Sequence, residues 1–115
     1  MADALRDEEP RLFTYADYKS WELKEGERYE LIHGVAYAMA GANTPHQSIS
    51  MEISRQIANY LDGKPCKVFS APYDVRLFYD EDDSDDTVVQ PDLMIICDKN
   101  KLGKEGCRGA PDFVA

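Results

Sequence analysis

Four residues carry most of the chemistry this chain could perform: Asp92, Glu30, His46 and Asp74. Asp92 follows Pro91 and heads the apolar run Leu93-Met94-Ile95-Ile96-Cys97. A carboxylate there either caps a neighbouring backbone group or holds a cation, and for a lone Pro-Asp the turn explanation is the commoner one. A second such dipeptide, Pro111-Asp112, shows how little the pair proves by itself. Glu30 shares a strand face with Ile32, and a part-buried carboxylate needs a cation or hydrogen-bond donors, with Arg28 one partner within reach. Asp74 lies between Tyr73 and Val75, with Arg76 as its expected salt-bridge mate. His46 falls in the first turn of a helix, where the dipole disfavours the imidazolium. Kept neutral it can orient a water or bind a phosphate oxygen; otherwise it is a plain polar first-turn residue. No serine nucleophile elbow, phosphate-binding glycine loop or cysteine-based zinc pair is present.

The elements that must position these residues are legible from periodicity. Thr14-Tyr15-Ala16-Asp17 resembles a capping box and opens a short helix with Tyr15, Tyr18 and Trp21 about a turn apart, ended by Glu25-Gly26-Glu27. Arg28 to Ile32 and Val35 to Met39 read as strands around a tight His33-Gly34 turn. Thr44 as N-cap and Pro45 at the first helical position open the clearest element. Ile49, Ile53, Ile57 and Leu61 follow at four-residue spacing, and Asp62-Gly63 closes a helix expected to pack by this stripe on a sheet. Lys67 to Ser70 and Tyr73 to Phe78 form two more strands, broken by Ala71-Pro72. Val88-Val89 leads to the run at 93–97, apolar enough for a central strand buried on both faces. Lys99 to Gly109 reads as a polar connection, and Phe113-Val114 starts another strand. Residues 1–13 are expected to be a flexible tail and 14–115 a partial domain, truncated before its last core strands and helix. An exposed sheet edge and apolar face then predict a homo-oligomer.

At 115 residues and 43% hydrophobic content the chain can fold as one domain. No apolar run approaches the ~18 residues of a spanning helix. The acidic N-terminus lacks the apolar core of a secretory signal, so a cytoplasmic location is expected. Cys66, Cys97 and Cys107 lack ligand spacing and are expected to be reduced thiols. A net charge of −9 argues against phosphate binding. Six of the 22 acids, however, lie between Asp80 and Asp86, which leaves 16 acids against 13 bases elsewhere. That run reads as a solvated hairpin loop, and its lack of glycine argues against a calcium loop.

Taken in order, Arg28-Tyr29-Glu30-Leu31-Ile32-His33-Gly34, Met39-Ala40-Gly41-Ala42 leading to His46-Gln47-Ser48-Ile49-Ser50, Pro72-Tyr73-Asp74-Val75-Arg76-Leu77, Val88-Val89-Gln90-Pro91-Asp92-Leu93 and Cys107-Arg108-Gly109-Ala110-Pro111-Asp112-Phe113-Val114 resemble the Uma-two family of restriction endonucleases. The resemblance implies an α/β, restriction-endonuclease-like (PD-(D/E)xK) fold: a mixed central sheet flanked by helices, with an acidic metal site at one edge. It implies a Mg2+- or Mn2+-dependent endonuclease acting on DNA. Asp92 would be the first metal-binding carboxylate, Glu30 the acid of the N-terminal hairpin and a second ligand, and His46 the histidine at the helix start. Asp74 also matches, without an assigned role. His33 stands where the family carries an acid or Asn before the hairpin glycine. In the family, the strand begun at Phe113 runs on into a second catalytic Glu, and a lysine comes from a later helix; neither lies in these 115 residues, so this piece is expected to be inactive. A non-catalytic nuclease-like binding or scaffold module is the alternative.

Overall fold

The structure, a computed structural model, describes residues 11–41 and 43–115. Residues 1–10 of the expected tail lie outside the described residues. Phe13, also assigned to that tail, is only 4% exposed, and its N–H donates to the Gly34 carbonyl at 2.8 Å. Ordered packing therefore begins before Thr14.

The described residues form a mixed α/β architecture, compatible with the restriction-endonuclease-like fold, of two helices and eight strands. In chain order these are α1 (Tyr15–Ser20), β1 (Tyr29–Ile32), β2 (Val35–Ala38), α2 (Thr44–Tyr60), β3 (Lys67–Ser70), β4 (Asp74–Arg76), β5 (Val88–Val89), β6 (Leu93–Ile96), β7 (Gly106–Arg108) and β8 (Phe113–Val114). The strands divide between a five-stranded sheet, β2-β1-β5-β4-β7, and a three-stranded sheet, β3-β6-β8. β6 is central, as its apolar sequence predicts, but in the smaller sheet. One apolar cluster gathers Phe13, Tyr15, Leu31, Ala36 and Val88; a second gathers Val75, Met94, Ile96 and Cys107.

Local chemistry explains most boundaries. The β1–β2 hairpin turns on His33 (φ 46) and Gly34 (φ 82), both in the left-handed region that a two-residue primed turn requires. α1 begins with the expected capping box but stops at Ser20, not near Glu25. The backbone extends at Trp21, which lays its indole edge-on to Phe13 with ring centroids 5.2 Å apart. Within the stretch expected as a polar connection lies β7, running parallel to β4. A Cβ at Gly106 would sit 2.3 Å from the Asp74 carbonyl oxygen, so only glycine permits this pairing.

α2 departs from expectation twice. Its N-cap is Asn43, one residue earlier than Thr44, with Asn43 Oδ1 accepting the His46 N–H at 3.0 Å. Its apolar stripe is not buried: Ile49 is 61% and Met51 67% exposed, and Ile53 and Tyr60 are exposed as well. The half-buried residues are Ser50, Ser54, Ile57 and Leu61, so the helix is rotated to present a partly polar face inward.

The acidic run is not a freely solvated loop. Arg76 Nε donates to Asp85 Oδ2 at 2.9 Å, and Arg76 Nη2 reaches Asp85 Oδ1, Asp83 Oδ1 and the Asp80 carbonyl. The guanidinium also stacks over the Tyr15 ring at 3.6 Å and over Tyr79 at 4.5 Å. Burial disfavours its charge, but hydrogen bonds and attraction from Asp85, then Asp83, outweigh that and raise its pKa. The same run holds α1 and the hairpin: Asp85 and Asp83 carbonyls accept from Tyr15 and Ala16, and the Asp86 carbonyl from Gly34. Asp74 therefore does not pair with Arg76, as the sequence suggested; the loop acids take it instead.

The cysteine expectation is also corrected. The β3–β6 register pairs Lys67 with Ile96, which sets Cys66 beside Cys97, and the two form a disulfide. Cys107 is the free thiol, fully buried, with its Sγ 3.3 Å from the Gly109 carbonyl. Burial raises the pKa of this thiol and makes it less reactive.

Three outcomes follow from this packing. Alkylation of the unreduced protein should modify no thiol when native and only Cys107 in denaturant, with mass spectrometry counting the adducts. Asp85→Ala leaves a buried guanidinium short of its main partner and should lower the urea-unfolding free energy by about 3 kcal/mol. Alkali should also destabilise the fold. Burial and then the Glu105 hydrogen bond push Tyr15 up to about 12, and burial with Asp74 pushes Tyr18 higher still. Unfolded tyrosine loses its proton near pH ~10 while these two keep theirs. Their contribution is intact below about pH 10 and is lost as pH rises through the folded values, which Tyr15→Phe should blunt in urea midpoints between about pH 9 and 12.

Candidate functional site

Asp92 sits in the short connection between β5 and β6. Its carbonyl accepts the Ala71 N–H at 3.0 Å, which ties it to the end of β3, while its carboxylate is half exposed. His46 enters from the first turn of α2, anchored by the Asn43 cap. Its Nε2 lies 3.2 Å from Asp92 Oδ1. Residues 46 apart in sequence thus meet where the N-terminus of α2 faces the head of β6. Two adjoining clefts, of about 100 and 180 Å³, are both lined by Arg28, His46 and Asp92. Ser50, Ser54, Ser70 and Pro72 extend the first, and Met39, Gly41 and Asn43 the second. A further cleft of about 290 Å³ lies around Arg76, Tyr79 and Arg108 and shares no lining residue with these two.

Glu30 and Asp74 do not line the His46–Asp92 clefts. They converge instead on Gln90, two residues before Asp92. The Gln90 N–H donates to Glu30 Oε2 at 2.8 Å, and its side-chain Nε2 donates to Asp74 Oδ1 at 2.8 Å and to the Tyr18 hydroxyl at 3.2 Å. Its Oε1 accepts from Arg28 Nε at 2.7 Å. Tyr18 closes the ring by donating to Asp74 Oδ1 at 2.9 Å. Arg28 donates only, and ionised Asp74 accepts only, so the orientation of the amide is fixed by its partners. Arg28 makes no ion pair with Glu30; the Gln90 backbone serves Glu30 in its place.

Pro111-Asp112 provides the contrast. Asp112 Oδ2 accepts the Cys97 N–H at 2.7 Å, and the Asp112 N–H donates to the Ile95 carbonyl at 2.9 Å. That carboxylate caps a strand end, whereas the Asp92 carboxylate is turned to a cleft beside an imidazole.

A hard divalent cation such as Mg2+ prefers oxygen ligands in octahedral array. Among the described residues no group of three or more His, Cys, Asp or Glu side chains could hold a metal ion. Asp92 and His46 offer one carboxylate and one imidazole at the cleft, which falls short of a cage. The residues present do not by themselves make a magnesium site.

Sequence reasoning missed Gln90 and Tyr18 and assigned Arg28 only as a partner for Glu30. Glutamine carries no charge and follows no periodic pattern, so its role appears only when four elements meet. Among the described residues no helix is long and apolar enough to cross a membrane.

A family model described as "Putative restriction endonuclease", Uma2, matches residues 15–115. Two relatives from Synechocystis sp. (strain ATCC 27184 / PCC 6803 / Kazusa) are each 28% identical to this chain: the "Uncharacterized protein slr1290" over 71% of it and the "Uncharacterized protein sll1609" over 80%. The chain spans 40% and 49% of the lengths of these two proteins. With a match over nearly its whole length, and with the family's Pro-Asp carboxylate turned to a cleft, this chain belongs to the Uma2 (Uma-two) family.

Proposed function

We propose that this chain is the part of a metal-dependent DNA endonuclease that supplies Asp92 as the leading carboxylate and His46 as its neighbour. The observation that carries the reading is the meeting of Asp92 and His46 at 3.2 Å in a cleft opened by the α2 N-terminus. A free helix N-terminus favours anionic groups such as a phosphodiester. Asp92 is held through its backbone and leaves its carboxylate available at the cleft. His46 faces that carboxylate and can orient it or a water beside it. Glu30 keeps Oε1 without a hydrogen-bond partner among the described residues, so it retains an oxygen for the same task. Asp74 holds Gln90 and acts at one remove.

In this proposal Mg2+ or Mn2+ belongs to the complete site, whose remaining ligands and lysine come from outside the described residues. The 115-residue chain alone is then inactive. A cytoplasmic location and DNA as the partner belong to the same reading. So does self-association of the isolated chain: Ile49, Met51 and Ile53 on α2 and Phe113 and Val114 on the edge strand β8 are exposed, and a second copy is the surface at hand to cover them. Light scattering should show dimers or larger species at high concentration, and a strict monomer would remove that part.

A second reading, a nuclease-like scaffold that holds a partner without cutting, is favoured by the lack of a three-ligand group and the net charge of −9. Plasmid cleavage in Mg2+ or Mn2+ separates the two. The complete gene product should nick or linearise DNA, Asp92→Asn should reduce that to background, and the 115-residue chain should not cleave. No cleavage and no metal binding by calorimetry in the complete protein would leave the scaffold. Cleavage by the 115-residue chain would overturn the claim that it is incomplete.

A further inference from the structure

Arg28 stands out among the cleft residues because its positive charge has no carboxylate partner. It lines both clefts with His46 and Asp92, yet no ion pair joins it to an acid among the described residues. Its Nε is committed to Gln90 Oε1 at 2.7 Å. Its Nη2 is buried and has no hydrogen-bond partner, the one such side-chain nitrogen or oxygen among the described residues. An unpaired buried donor on a charged group costs stability, and a native site keeps one where a ligand acceptor is to come.

We infer that Arg28 grips a non-bridging phosphate oxygen of a nucleic-acid strand at the His46–Asp92 cleft, with Gln90 as the positioning residue that holds its guanidinium in readiness. The inference rests on the nuclease-like reading of that cleft and names the group that recognises its substrate. Chemical fit supports it. A planar guanidinium matches phosphate geometry with two parallel donors, which an ammonium cannot do. Gln90 fixes the plane through Nε, because its own amide is held by Asp74 and Tyr18. Clefts of about 100 and 180 Å³ suit a phosphate group better than a base or an aromatic side chain. The N-terminus of α2, a helix of 17 residues, adds a positive dipole end on the same wall. Asp92 works against a phosphate by repulsion, and this is the reason a neighbouring unpaired cation is needed there at all.

The direct test needs no variant. In the 115-residue chain, the Arg28 Nε–Hε resonance should be slowed in exchange by its bond to Gln90. It should shift when a ten-base-pair DNA duplex is added at low salt. Arg28→Lys, which keeps the charge and loses the fork, should weaken duplex binding by about tenfold or more. Gln90→Leu, which leaves every charge in place, should weaken it several-fold by freeing the guanidinium. Equal binding by Arg28→Lys overturns the inference, as does an unmoved Arg28 resonance at saturating duplex. A shift with inorganic phosphate and none with duplex overturns the assignment to a nucleic-acid strand. These readouts are of binding, so they stand apart from cleavage. If the complete protein cuts DNA but Arg28 is indifferent, the nuclease reading survives and this inference fails. If Arg28 grips duplex and nothing cuts, the reverse holds.

Discussion

Everything near the cleft hangs on one amide. Gln90 is where α1, β1, β4 and β5 are brought to a common point, and it does so with four distinct hydrogen bonds to Arg28, Glu30, Asp74 and Tyr18. In a low-dielectric setting such a network is either fully satisfied or very costly. Pro91 follows directly and restricts the backbone of Gln90. The carboxylate of Asp92 is therefore aimed by a chain segment with little freedom left, and β6 begins immediately after it. The position of the acid owes more to residues that never reach the cleft than to those that line it.

Arg76 plays the corresponding part on the other side of the five-stranded sheet. It draws two carboxylates of an acidic run inward and lies between two tyrosine rings. In sequence, six acids within seven residues look like a surface ornament. In the fold the same residues hold α1 and the hairpin by their carbonyls and a buried arginine by their side chains. Much of the chain's net negative charge is thus structural and is withdrawn from any approaching phosphate. The objection that an acidic protein cannot face DNA weakens accordingly.

How much could be read beforehand followed from the range of the forces involved. The capping box at Thr14, the His33-Gly34 turn, the long helix and the apolar β6 are set by neighbours within a few residues, and all appear close to where periodicity puts them. The meeting of His46 with Asp92 was legible only as a resemblance in motif order, since nothing local brings residues 46 and 92 together. What failed was long-range. The stripe Ile49, Ile53 promised burial, but a helix turns its apolar face inward only where there is a surface to receive it. Cys66 and Cys97 were read as separate thiols because a disulfide depends on strand register, which composition does not reveal. Asp74 was matched to Arg76 by adjacency, and both found stronger partners across the sheet. A parallel strand was hidden in a glycine-rich stretch because Gly106 is needed for contact with β4, not for a turn.

The Cys66–Cys97 link also makes the middle of the molecule a covalent ring, with 31 residues separating its ends. β3, β4, β5, the acidic turn, Gln90 and Asp92 all lie inside it. A protease that nicked the exposed turn at Glu81 or Asp82 would leave one connected molecule while the bond is oxidised, and two separable pieces once it is reduced. The chain would then carry a record of its redox surroundings: in an oxidising compartment a cut loop is survivable, and in a reducing one the same cut divides the half that holds His46 from the half that holds Asp92.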